Sequence, residues 1–79
     1  MSHTPNSLHE AFPEFGARIS ELKVEDRHFG ALADQYDSLN HEVHRIETDL
    51  EPASDEVLED LKKQRLAVKD QIFQALTQA

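Results

Sequence analysis

His41, Glu42, Val43 and His44 set two imidazoles around a carboxylate, which is the raw material of a zinc hydrolase. That chemistry needs histidines four apart on one helix face, so that two ring nitrogens and a water converge on the metal while the glutamate takes the water's proton. Here the histidines are three apart, and the signature is not met. A different grouping, Asp37, His41 and His44 at i, i+4 and i+7, offers one carboxylate and two imidazoles from a single outward helix face. It is the metal candidate of this sequence, for weak binding of a zinc- or nickel-type ion. A plain Asp37 to His41 charge pair on a solvated face accounts for the same residues at less expense. One exposed helix also lacks the outer shell of hydrogen bonds that fixes metal-bound imidazoles. No resident cofactor is expected.

Nothing else assembles a reaction centre. The few hydroxyl side chains sit in caps, turns and tails, there is no glycine-rich loop to cradle phosphate, and a thin helical protein has no deep pocket that excludes water. The expectation is a protein without enzymatic activity and without a small-molecule substrate. Positive charge gathers in one place only, Lys62, Lys63, Arg65 and Lys69, interleaved with Glu59, Asp60 and Asp70. Such a mixture suits pairing with an acidic neighbouring helix better than binding a phosphate backbone.

The bulk composition points the same way. The chain has 79 residues, 16 acidic against 8 basic, for a formal net charge of -8, so its field repels nucleic acid and anionic lipid. A nucleic-acid-associated accessory role therefore stands only as an alternative. With 0 cysteines, neither a disulfide nor a thiolate metal site can support so small a core, which leaves helix pairing or self-association. The absence of cysteine fits a cytoplasmic protein. No apolar run is long enough for a bilayer span or a secretory segment.

The elements that position these residues are helices. Residues 1–11 read as a flexible N-terminal segment and 12–79 as one domain. Phe12, Phe15, Ile19 and Leu22 recur at helical spacing after Pro13, which predicts a short helix over about 13–25. From Phe29 the apolar residues Leu32, Tyr36, Leu39, Val43, Ile46 and Leu50 alternate at gaps of three and four, an unbroken seam predicting a helix over about 27–50. The first stripe does not enter this seam in register, and Asp26 can cap a new helix, so a break is expected there, with one bent helix as the alternative. "EPASDE", residues 51–56, reads as a turn with Ser54 capping a third helix over about 55–77.

Folding back about that turn sets Ile46 against Leu61, Leu39 against Val68 and Tyr36 against Ile72, so the two seams match in an antiparallel pair. The fold class is thus all-α: a long antiparallel helical hairpin, coiled-coil-like, preceded by a short helix. Arg65 takes the place of a seam residue and has to send its charge to the rim, where Glu42 or Glu47 is within reach. A polar residue at one seam position sets register or oligomer state at some cost in stability. Two helices leave one side of each seam uncovered. Either the leading helix folds over it or a second copy packs there. Phe12, Phe15, Ile19 and Leu22, together with Leu66, Phe73 and Leu76, are accordingly the candidate interaction surface for a protein partner or a second copy, giving a homo-oligomer.

Two long stretches, "FPEFGARISELKVEDRHFGALADQYDSLNHEVHRIE" and "LEDLKKQRLAVKDQIFQAL", resemble the YdcH-like family of small bacterial proteins, a domain of unknown function. The resemblance covers about residues 12–76 and is carried by Phe12, Pro13 and Glu14, by Phe29 with Leu32, by His41 to Glu47, and by Leu61 to Lys63 with Arg65, Lys69 and Asp70. It implies a cytoplasmic helical hairpin with a short helix ahead of it and brings no established activity. Arg27 stands where many members carry proline, and Asn40 where many carry aspartate.

Overall fold

In the computed structural model, which describes residues 7–48 and 54–78, the chain forms four helices and a single 3-10 turn. They run in the order α1 (Leu8–Ala11), the 3-10 turn (Pro13–Phe15), α2 (Gly16–Glu25), α3 (Arg27–Glu47) and α4 (Asp55–Thr77). No strand occurs among the described residues, and no helix there is long and apolar enough to cross a membrane.

Each boundary has a local cause. Asp26 leaves the helical region at φ -122° and ψ 109°, and its carboxylate accepts hydrogen bonds from the amides of His28 at 2.9 Å and Phe29 at 3.2 Å. Two amides that have no partner inside the helix are satisfied by this one cap, a contribution of about 1 kcal/mol. The chain therefore divides at Asp26 into two helices and does not bend as one. Ser54 caps α4 in the same way, accepting from the Val57 amide at 3.3 Å, and Asp55 and Glu56 stand next at the positive end of the helix dipole. α3 closes at Glu47, where Thr48 turns its hydroxyl onto the His44 carbonyl at 2.9 Å, so the described helix stops short of the expected residue 50. Leu50 and the turn residues Glu51, Pro52 and Ala53 lie outside the described residues.

The leading segment begins earlier than its spacing suggests. Residues 1–6 of the segment expected to be flexible lie outside the described residues, but Ser7 to Ala11 are built into the fold. Ser7 accepts from the Glu10 amide at 3.4 Å with the Glu10 carboxylate turned back toward its hydroxyl, and Leu8 is buried. Ser7 and Glu10 form the S-x-x-E capping pair that opens a helix, a local signal overshadowed in the sequence by the proline-marked start at residue 13. Pro13 itself opens a 3-10 turn, and the α-helix proper starts at Gly16.

α3 and α4 pack side by side as the expected hairpin, inside extents of 41 × 27 × 20 Å. The 23 residues of α4 alone span about 35 Å, so the long dimension is essentially one helix. α1, the 3-10 turn and α2 fold back over one end of the pair. There Leu8, Phe12 and Ile19 join Phe29, Leu32, Ala33 and Tyr36 of α3 and Val68, Ile72 and Leu76 of α4 in one buried cluster. Fully burying an aliphatic side chain such as Ile19 or Ile72 contributes about 1.5–3 kcal/mol. Toward the turn the hairpin has no third layer: Val43 is buried, but Ile46, Leu58 and Leu61 are only partly covered and Val57 is exposed.

Candidate interaction surface

The third layer settles what the leading segment does. Phe12, Ile19 and Leu76 are buried within the chain, and Phe15 and Leu22 are half-buried against the same cluster. Phe12, Ile19 and Leu76 are therefore taken up by the chain's own core and are not available to a partner surface: the helix pair needed a cover, and the chain supplies its own. Of the seven residues proposed for that surface, Leu66 and Phe73 are the most exposed, at 58% and 48%.

Helical geometry explains the division. At 100° per residue, Leu66 and Phe73 point about 130° away from Val68 and Ile72, so one helix carries two apolar stripes and the hairpin fills only the inner one. Leu76 falls between the stripes and is buried in the same cluster as Leu8 and Phe12. Phe73 is held in place from one side, since its ring stacks on Phe12 with centroids 5.9 Å apart and planes 20° from parallel, while Phe15 meets Phe12 edge-on at 6.4 Å. The Lys69 ammonium lies 5.9 Å from the centre of the Phe12 ring, a cation–π contact that fixes its stem along the outer face. Asp70, one residue on, is exposed and makes no ion pair among the described residues.

Arg65 does face α3, but its partner is neither of the expected glutamates. Its Nη1 donates to Asn40 Oδ1 at 2.8 Å, while Glu47 pairs with Lys62 at 3.2 Å and Glu42 lies 4.0 Å from Arg45. The reason is position: Asn40 is buried at 4% exposure and lies at the inner edge of α3, nearer the arginine than the carboxylates on the rim. A charge-assisted hydrogen bond to a neutral amide satisfies the guanidinium there without a second charge being taken out of water. Sequence reasoning misses Asn40 as a site residue, although an amide flanked by Leu39 and Val43 at a seam is the signal that finds it. Tyr36 is nearby. Burial holds its hydroxyl above the usual tyrosine value of 10.0, the Arg65 charge opposes that rise, and Asp37 and Glu10 add to it. Tyr36, Lys62, Arg65, Leu66 and Lys69 line a cleft of about 300 Å³ between the helices, beside the outer stripe.

The histidine-bearing face holds no comparable arrangement. Asp37 and His41 are exposed and His44 is partly buried, and among the described residues no three histidine or acidic side chains come together to hold a metal ion. Positions i and i+7 stand about 10 Å apart along a helix, and among the described residues no other element adds a ligand to the group. Asp37, His41, Glu42 and Arg45 line instead a shallow, open groove with Leu61 across from them.

Over residues 29–76 the chain matches the family described as protein of unknown function (DUF465). It is similar to the uncharacterized protein YdcH of Escherichia coli (strain K12), with 40% identity over 68 residues that cover 85% of this chain and 90% of that protein. The uncharacterized protein YdcH of Shigella flexneri matches equally, at 40% identity over 68 residues, 85% of this chain and 90% of its own. No solved structure matches.

Proposed function

We infer that this chain, which belongs to the YdcH family of proteins of unknown function (DUF465), is a non-enzymatic protein–protein interaction module that works in the cytoplasm through the outer face of α4. The observation that carries this reading is the exposure of Leu66 and Phe73, two large apolar side chains one heptad apart on a helix whose inner face is already filled. A chain this small and this acidic has little reason to leave both in water, because solvating them forgoes burial worth about 1.5–3 kcal/mol each. Charge around them is mixed, with Lys62, Lys63 and Lys69 beside Glu59 and Asp70, as at the rim of a protein interface. The same mixture and the net charge of -8 weigh against a nucleic-acid partner.

Leu66→Asp tests the reading, since a 58% exposed side chain tolerates a charge without loss of the fold. Wild type and variant are compared by affinity purification from the native cell under conditions that keep weak complexes, and by sedimentation of the purified chains. Wild type is expected to retain a partner, a second copy or another protein, that the variant loses. Identical behaviour of the two would overturn the reading.

A further inference from the structure

The outer face of α4 is complementary to itself. Leu66, Lys69, Asp70 and Phe73 fall within about 100° of one another on the helix, so they present one continuous strip. Resting on the interaction reading above, we propose that the partner is a second copy of this chain, docked α4 against α4 in antiparallel register about a two-fold axis between Lys69 and Asp70. In that register the sequence numbers of facing residues share one sum: Leu66 meets the partner copy's Phe73, and Lys69 meets its Asp70. Each pair occurs twice, as an isologous contact requires.

Three features favour a second copy over an unrelated partner. First, the two apolar residues differ in size and are exchanged by the axis, so Leu66 packs beside the larger Phe73 ring, which Phe12 already holds at 5.9 Å. Second, the charges at the axis are of opposite sign and adjacent, and the antiparallel arrangement sets each cation across from the other copy's anion. Third, the basic stretch from Lys62 to Lys69 lies across from positions 70 to 77 of the other copy, which hold Asp70 and no cation, so copies of an acidic protein meet here without repulsion between like charges. The contact runs from Lys62 to Thr77, about 24 Å of helix, and falls at the small end of protein interfaces. The dimer is therefore weak and forms at high local concentration.

The test is a charge swap across the axis, read by sedimentation equilibrium. Asp70→Lys and Lys69→Glu are purified separately, with circular dichroism to verify that each keeps its helices. Each variant alone sets like charges against each other twice and is expected to self-associate at least about tenfold more weakly than wild type. Mixed in equal amounts, they are expected to recover association, because one copy then offers two cations and the other two anions. A wild-type chain that stays monomeric up to about 1 mM, near the weakest association that specific docking gives, would overturn the proposal. So would a mixture no more associated than its components. If the pure chain is monomeric while Leu66→Asp still loses a different protein in the purification, the second copy is excluded and the interaction reading stands. If Leu66→Asp loses nothing in either assay, both fail.

Discussion

The two faces of α4 carry similar residues and meet opposite fates. On the inner face Val68, Ile72 and Leu76 are 4%, 0% and 5% exposed, whereas on the outer face Leu66 and Phe73 are 58% and 48% exposed. Hydrophobicity alone does not separate them, since leucine and phenylalanine are at least as apolar as valine. What separates them is supply: α3 fills the inner stripe, the leading segment fills the flank beside it, and no described residue remains to cover the far side. Apart from the Phe73 ring stacked on Phe12, the fold is thus complete without the outer stripe. Side chains there are free to serve association, and substitutions on the two faces should divide cleanly between stability and binding.

The largest expected effect is on the inner face. Ile72→Ala leaves a cavity in the cluster shared by α2, α3 and α4 and should lower unfolding free energy by about 2–5 kcal/mol in urea denaturation. A loss below about 1 kcal/mol would mean that the third layer is loosely packed, and the contrast between faces would be blunted. Next comes the polar layer that bounds this cluster. Asn40→Leu removes the acceptor 2.8 Å from Arg65 and should cost about 1–3 kcal/mol, while the double variant Asn40→Leu with Arg65→Leu should recover most of it. A double variant that is stable but no longer homogeneous in its NMR spectrum would identify the pair as the device that fixes helix register.

A smaller effect is expected from Tyr36. Its folded-state pKa lies above the unfolded value, so the stability linked to its protonation is complete below about pH 10 and is lost as pH rises through the folded value. The melting temperature of wild type should accordingly fall more steeply than that of Tyr36→Phe between about pH 9 and 11, the groups common to both cancelling in the difference. Parallel curves would show that the hydroxyl is not enclosed beside Arg65. The smallest stability effect is expected from Leu66→Ala, within about 0.5 kcal/mol of wild type, with association weakened all the same. A large loss of stability there would make the outer face part of the core.

The hairpin was legible in the sequence because a seam over seven residues from Phe29 to Leu50 admits one helical reading, and because the facing residues of α3 and α4 match along their length. Asp26 was legible as a break through cap chemistry, and Ser54 as a helix start. The short leading segment was harder. Its helix α1 has only four residues, too few for periodicity to register, and the capping pair Ser7 and Glu10 was the sole local signal. Whether that segment covered the seam or left it to a partner depended on tertiary packing, which local pattern does not encode. Arg65 stood out as an anomaly on the seam, but charge pairing pointed to the wrong partner, because a buried amide one layer in satisfies it at lower desolvation cost. The histidines were conspicuous by type and spacing, but among the described residues Asp37, His41 and His44 are not gathered into a group that could hold a metal ion.

Concentration-dependent amide NMR of the wild-type chain measures most directly whether the outer face of α4 is the docking surface. On raising the concentration toward the millimolar range, the amide signals of Leu66, Lys69, Asp70 and Phe73 should shift together along one curve, while those of His41, His44 and Arg45 on α3 stay fixed. Signals that do not move at all, or that move on α3 and leave α4 unchanged, would contradict it.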